Sequence, residues 1–255
     1  MRRIFLGAAA VLMVGAVQSA SAADLPVRVE TRAPALVASP VAIWNGFYVG
    51  ASVGGRWSNV DSTTLSVGGL APIANPTNTA SFDSSTFRGG FYTGVNWQLA
   101  SWVVGIEADI AWGDSKTTNT RLAGAGIVHA GDSATAKQTW DGGVRGRLGY
   151  LLTPSVLLFG TGGGSWIHDE LTATCSAATC GAVLGSNVST ERLGWTVGGG
   201  IEWAMSPNWL LRGEYRYADY GTSRQTLFVG VPGSVSVIDS KLTTQTGLAG
   251  LAYKF

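Results

Sequence analysis

The chain has 255 residues, of which 13% are charged and 45% hydrophobic, with 36 Gly, 8 Pro, 10 Trp and a formal charge of +1. A charged fraction near half the roughly 25% of soluble globular proteins argues against an ordinary cytosolic domain, and beyond residue 22 there is no apolar run of about 18 residues for a transmembrane helix. The near-neutral charge gives no basic excess to steer nucleic acid, while Gly and Pro together stay below the level of low-complexity disorder.

Arg2-Arg3, the apolar stretch 4–17 and Ala20-Ser21-Ala22 read as a secretory signal peptide over residues 1–22. Cleavage after Ala22 removes two of 17 basic residues against 16 acidic ones, leaving −1. Residues 23–43, with Pro26, Pro34 and Pro40, read as an extended periplasmic leader too short for a second domain.

From residue 44 to 255 the dominant signal is alternation with period two, the mark of strands with unlike faces. The first stretch, about 44–58, sets Phe47, Val49, Ala51, Val53 and Trp57 against Tyr48, Ser52 and Arg56. The second, about 87–99, sets Phe91, Val95, Trp97 and Leu99 against Tyr92, Asn96 and Gln98, and the third, about 102–112, sets Val104, Ile106 and Ile110 against Glu107 and Asp109. In the fourth, about 138–151, Trp140, Val144, Leu148 and Tyr150 oppose Asp141, Arg145 and Arg147; glycines blur the fifth, about 156–168, where Leu158 and Trp166 are read as outward. The sixth, about 191–204, sets Leu193, Trp195, Val197, Ile201 and Trp203 against Arg192, Thr196 and Glu202. The seventh, about 209–220, has Leu211, Tyr215 and Tyr217 against Arg212, Glu214 and Arg216, and the eighth, about 241–255, ends with Ala249, Leu251, Tyr253 and Phe255 on one face. Gln245 breaks the apolar pattern of that last face.

Connections between these stretches alternate long (59–86, 113–137, 169–190, 221–240) and short (100–101, 152–155, 205–208). That is the hairpin rhythm of an outer-membrane barrel, with tight periplasmic turns and long outer loops. Trp44, Trp97, Trp102, Trp203 and Trp209 fall at strand ends beside short turns or the barrel start, and Trp57, Trp112, Trp140, Trp166 and Trp195 at ends beside long loops. Indole rings favour the headgroup level, so the ten read as two aromatic girdles. Trp102 and Trp112 lie about 33 Å apart along a strand, or about 25 Å in height at the usual tilt, which matches an apolar membrane band. The expected fold is all-β, an eight-stranded antiparallel transmembrane barrel over 44–255.

Eight strands enclose an interior just wide enough for side chains to fill. Its inward charges are Glu107, Asp109, Asp141, Glu202 and Glu214 against Arg145, Arg147, Arg192, Arg212 and Arg216. The reading predicts a Glu107–Arg147 and Asp109–Arg145 ladder, with Gly143, Gly149, Gly198 and Gly200 leaving inward room for long side chains.

Ala23-Asp24-Leu25-Pro26, Trp44-Asn45-Gly46-Phe47-Tyr48-Val49-Gly50, the segment Gly194 to Trp203 and the closing Leu251-Ala252-Tyr253-Lys254-Phe255 resemble the small porin-like outer-membrane β-barrel proteins of alphaproteobacteria, with OmpA-type architecture. The resemblance implies a surface antigen, with haemin binding, adhesion or envelope integrity among the family's roles. It also implies that Leu251, Tyr253 and Phe255 form the signal read by the barrel-assembly machinery, and that outer-membrane lipid and lipopolysaccharide surround the protein.

No catalytic motif stands out, and the protein is expected not to be an enzyme. His129 and His168 are the two histidines. His168-Asp169-Glu170 offers a hydrolase fragment, but no nucleophile pairs with it in sequence. Cys175 and Cys180 with one His lack a second ligand pair for zinc; in an oxidising compartment they read as a loop disulfide. The glycine string at 160–164 is followed by no Gly-Lys-Ser/Thr, so it is not a phosphate loop. Metal is not expected. The predicted function is a structural or surface-interaction barrel with at most low-conductance permeation, the alternative being haemin or small-ligand binding through the outer loops by His129 or His168.

Overall fold

The computed structural model describes residues 44–66, 79–119, 133–177, 182–228 and 236–255. The signal peptide read over 1–22 and the leader read over 23–43 lie outside the described residues. Eight strands follow in chain order: β1 Gly46–Ser66, β2 Thr79–Leu99, β3 Trp102–Asn119, β4 Ser133–Thr153, β5 Val156–Cys175, β6 Leu184–Ala204, β7 Trp209–Leu227 and β8 Ser236–Lys254. Each pairs antiparallel with its neighbour, and β8 returns to β1, closing a barrel.

The side-chain period sets the two faces. Phe47, Val53, Phe91, Ile106, Leu148 and Ile201 are exposed, while Tyr48, Ser52, Arg56, Tyr92, Glu107, Arg145 and Glu202 are buried inside. Apolar groups outside and ionic groups inside invert the soluble pattern, as hydrocarbon solvent demands. Gln245 keeps the outward parity and accepts a hydrogen bond from the Tyr215 hydroxyl (2.7 Å), which satisfies an amide on the outer face.

At the short-turn end the strands begin and stop within about two residues of the sequence reading. At the other end they run further, β1 to Ser66 where 58 was read and β5 to Cys175 where 168 was read. There Ser, Thr and Asn occupy both faces, so hydrophobic alternation fades while backbone pairing continues.

The interior is layered. Near the short turns Trp44, Tyr48, Val103, Leu157, Phe159 and Leu210 form an apolar floor. Val60, Ala134, Ile167, Ala218, Tyr220 and Leu242 form a second apolar layer toward the long-loop end. Beyond it Ala173, Cys175, Leu227, Phe228 and Ile238 cluster at the tip.

Three register slips fall at one height: between Trp112 and Ser115 on β3, Gln138 and Asp141 on β4, and Asp219 and Thr222 on β7. At that height two ladders also stop. β2 and β3 pair no further than Gly89 and Trp112, and β6 and β7 no further than Trp195 and Asp219. Above the girdle the wall therefore divides into two four-stranded sheets, β7-β8-β1-β2 and β3-β4-β5-β6.

Candidate functional site

The charged lumen is built from inward positions of β1 to β7. Glu107 on β3 is its hub: Arg145 lies 3.1 Å away on β4, Arg212 2.6 Å and Arg216 3.5 Å away on β7, and the Tyr48 hydroxyl donates to it at 2.8 Å. Asp109 pairs with Arg145 at 2.6 Å and Arg216 at 3.0 Å. Because β3 and β7 stand on opposite sides of the barrel, Glu107–Arg212 and Asp109–Arg216 are struts across the lumen. Arg147 pairs with Glu202, and Arg216 with Glu214 at 2.7 Å. Arg147 lies 4.6 Å from the Phe159 ring centre and Arg212 4.3 Å from that of Tyr92, so aromatic faces stabilise both guanidiniums.

Both pairs of the ladder read from the sequence, Asp109–Arg145 and Glu107–Arg147, are present, though in a different register. Register sets Arg145, not Arg147, opposite Glu107. Glu107 and Arg147 stand 3.9 Å apart, and Arg147 has its closer partner in Glu202 across from it.

Three charges escaped the reading. Arg56 on β1 meets Asp141 at 2.7 Å, and Arg88 on β2 meets Asp141 at 2.5 Å and Asp109 at 2.9 Å. Arg56 already had inward parity, and Arg88 shares the parity of Gly90. Asp169 pairs with Arg192 at 2.8 Å but lies beyond the end read for the fifth strand. Outside the membrane span, the Arg224 guanidinium hydrogen-bonds Asp239 (2.8 and 2.9 Å) and holds that carboxyl below its ordinary range.

Glycine makes this filling fit. A side chain at Gly94 would meet Tyr48 Cζ at 2.6 Å, and one at Gly250 would meet Tyr92 Oη at 2.9 Å and Arg212 Cγ at 3.0 Å. Of the four glycines named from the sequence, Gly143 faces Arg145, Gly149 faces Leu157, Gly198 faces Arg216 and Gly200 faces Phe159.

Trp57, Trp97, Trp102, Trp112, Trp195, Trp203 and Trp209 are 44–52% exposed on the outer surface, and Trp140 and Trp166 are half-buried. Trp44 is corrected: it is 0% exposed and belongs to the apolar floor, its indole N–H donating to the Pro154 carbonyl at 3.1 Å. It precedes the first paired residue, so strand parity does not govern it. Leu251, Tyr253 and Phe255 face outward at the short-turn rim, where Phe255 packs near Phe47 and Tyr253.

His168 stacks on Trp140 with ring centres 5.9 Å apart, and its Nε2 lies 3.3 Å from Ser189 Oγ. Asp169 turns into the lumen, on the opposite face of β5, so it does not orient the imidazole. His129 lies outside the described residues. Cys175 is disulfide-bonded, while Cys180 lies outside the described residues. Among the described residues no three His, Cys, Asp or Glu side chains are grouped to hold a metal ion.

The family model described as the outer membrane protein beta-barrel domain matches residues 7–255. The 31 kDa outer-membrane immunogenic protein of Brucella melitensis biotype 1 is 32% identical over 243 residues, covering 93% of this chain and 94% of the relative. The 25 kDa outer-membrane immunogenic protein of the same organism is 29% identical, covering 88% and 84%. The 22 kDa outer membrane protein of Rhizobium leguminosarum bv. viciae is 31% identical, covering 71% and 66%. Among solved structures, the outer membrane protease OmpT of Escherichia coli superposes with a TM-score of 0.52 at 11% identity, covering 83% of this chain and 97% of that one, a likeness of fold alone. The eight-stranded closure, the inverted faces and these matches agree: the chain belongs to the outer-membrane β-barrel protein family and resides in the outer membrane.

Proposed function

We propose that this protein is a sealed barrel that anchors a surface-exposed projection in the outer membrane, and that it is neither a diffusion pore nor an enzyme. The observation that carries this reading is the pair of struts Glu107–Arg212 and Asp109–Arg216, which bridge the lumen at mid-depth. Apolar layers on either side of the charges add to the seal. A barrel of eight strands has no spare width for a solute once its side chains meet in the middle.

The projection supports the second half of the reading. All eight strands continue beyond the level of the outer tryptophans as a polar, Ser/Thr-rich wall. The Brucella relatives are named immunogenic outer-membrane proteins, which suits display at the surface. The outward rim residues Leu251, Tyr253 and Phe255 suit recognition by the assembly machinery, and the aromatic girdles suit contact with outer-membrane lipid and lipopolysaccharide. Liposome swelling with a small sugar tests the seal: vesicles carrying the refolded protein are expected to swell no faster than empty ones. Swelling at the rate given by an open porin would refute it.

A further inference from the structure

The two seams that divide the upper wall differ in how they are closed. Across β2 and β3, hydroxyl side chains replace the backbone ladder: Thr86 Oγ1 donates to the Asp114 carbonyl (2.8 Å), Ser115 Oγ to Ser84 Oγ (2.7 Å) and Thr117 Oγ1 to the Asp83 carbonyl (3.2 Å). Across β6 and β7, above Trp195 and Asp219, the bridge among the described residues is at the far tip, Phe228 N–H to Ser186 Oγ at 3.3 Å. Between those limits β6 keeps its full ladder to β5, up to Cys175 opposite Leu184, and has no ladder on its other side. Alternate residues of 184–194 therefore turn N–H and C=O groups away from β5 toward an unpaired edge.

The cause is local to β7. Gly221 takes φ +65, its N–H is held by Asp219 Oδ1 at 2.7 Å, and the β7–β8 register slips between Asp219 and Thr222. A bulge of this kind bends its strand and ends pairing. Beyond it the tip of β7 packs inward, with Leu227 and Phe228 in a cluster with Ala173 and Cys175 of β5, against which the inward side chains of Leu184 and Val188 on β6 also pack. On this stretch Gln225 is buried with neither amide atom hydrogen-bonded.

We propose that the edge of β6 at residues 184–194 is a strand-addition site for an extended, basic segment of a polypeptide outside the cell. Its length suits the occupant, since a typical strand of about five or six residues spans about 17–20 Å and the edge runs about 35 Å at ~3.3 Å per residue. Charge gives the partner's chemistry. The outer face beside the edge carries Glu191 and, on β5, Glu170, which Asn187 Nδ2 contacts at 2.7 Å. Among the described residues Glu191 makes no ion pair, Arg192 turns inward to Asp169, and Arg224 of β7 is held by Asp239. Leu193, 77% exposed, adds an apolar contact at the base of the edge. Main-chain hydrogen bonds would supply affinity and alternate side chains specificity. A second copy is a poor occupant, because two barrels in one membrane point β6 the same way and tilt it in crossing directions where they face each other. The inference rests on this end facing outward, and it holds whether or not the lumen conducts.

The test uses the refolded full barrel in lipid nanodiscs, with amide hydrogen exchange and peptide titration. The probes are a short peptide alternating Lys with Val or Thr and its analogue N-methylated at alternate backbone positions, which keeps charge and side chains but removes the edge donors. In the free protein alternate amides of 184–194 are expected to exchange at least tenfold faster than those of 195–204. The plain peptide should slow them at least tenfold, the N-methylated analogue should bind at least tenfold more weakly, and E191K should weaken the plain peptide several-fold. Equal binding of the two peptides, or binding of neither at millimolar concentration, would overturn the proposal. So would edge amides already protected in the free monomer, which would mean that the chain fills its own edge, or protection that rises with protein concentration, which would assign the edge to a second copy.

Discussion

Glu107 shows how much of the interior hangs on single residues. It faces Arg145, Arg147, Arg212 and Arg216 within 4 Å and accepts from Tyr48, all in a buried setting. Glu107→Ala strands those guanidiniums without their shared counter-charge and is expected to cost about 3–5 kcal/mol; urea unfolding in detergent, followed by tryptophan fluorescence, reads the loss. A change within about 0.5 kcal/mol, the scale of an ordinary surface substitution, would show that Asp109, Glu202 and Glu214 suffice as counter-charges for the arginines. The glycines give a paired expectation. Gly94→Ala would press a methyl group to 2.6 Å from Tyr48 Cζ and 2.7 Å from the Ile106 carbonyl, an overpacking worth about 1–3 kcal/mol. Gly164 lies on the outward face with nothing within 4 Å of an added Cβ, so Gly164→Ala should stabilise by about 0.5–1 kcal/mol through lost unfolded-state freedom. The same unfolding measurement separates the two. Which residues point inward was legible, because period two assigns a face to every position. Which charges meet was legible only between the neighbours β3 and β4, in Asp109–Arg145 and Glu107–Arg147; Glu107 also finds Arg212 across the barrel, and only closure brings β3 and β7 within reach.

At the scale of the strand, the short-turn ends were legible and the outer ends were not. Tight turns carry Pro154 and Pro207-Asn208, and girdle tryptophans bracket the apolar band, so both chemistry and hydropathy mark those boundaries. Above the band, stretches such as Asn59 to Ser66 lack apolar contrast between faces, and backbone pairing alone keeps them extended. Asp169 falls beyond the readable strand end for this reason, whereas Arg88 lies within the second stretch and carries inward parity. Trp44 was misread for another, since a residue before the first ladder position folds under the barrel instead of following its wall. The bulges are sequence features without a strong sequence signal, Gly221 excepted. At φ +65 an L side chain is strained even where space is open, so Gly221→Ala is expected to cost about 1–2 kcal/mol. It should also slow exchange at the β6 edge if β7 straightens toward it. Unchanged thermal unfolding would contradict the strained conformation at that bulge.

The whole molecule is two constructions on one set of strands. In the membrane it is a closed barrel, apolar outside, with arginines and carboxylates bridging its interior between apolar layers. Beyond the membrane it is a pair of four-stranded sheets, one seam laced by hydroxyls and one left open. Composition, tryptophan placement and alternation made the first legible in the sequence. The second depends on where ladders stop, which no single segment records. Single-channel recording in a planar lipid bilayer tests the proposed seal of the lumen most directly. The refolded protein is expected to give no discrete current steps above the bare bilayer at moderate voltage. Regular steps of porin-like size would contradict the proposed seal, because hydrated ions would then have to pass the struts from Glu107 to Arg212 and from Asp109 to Arg216.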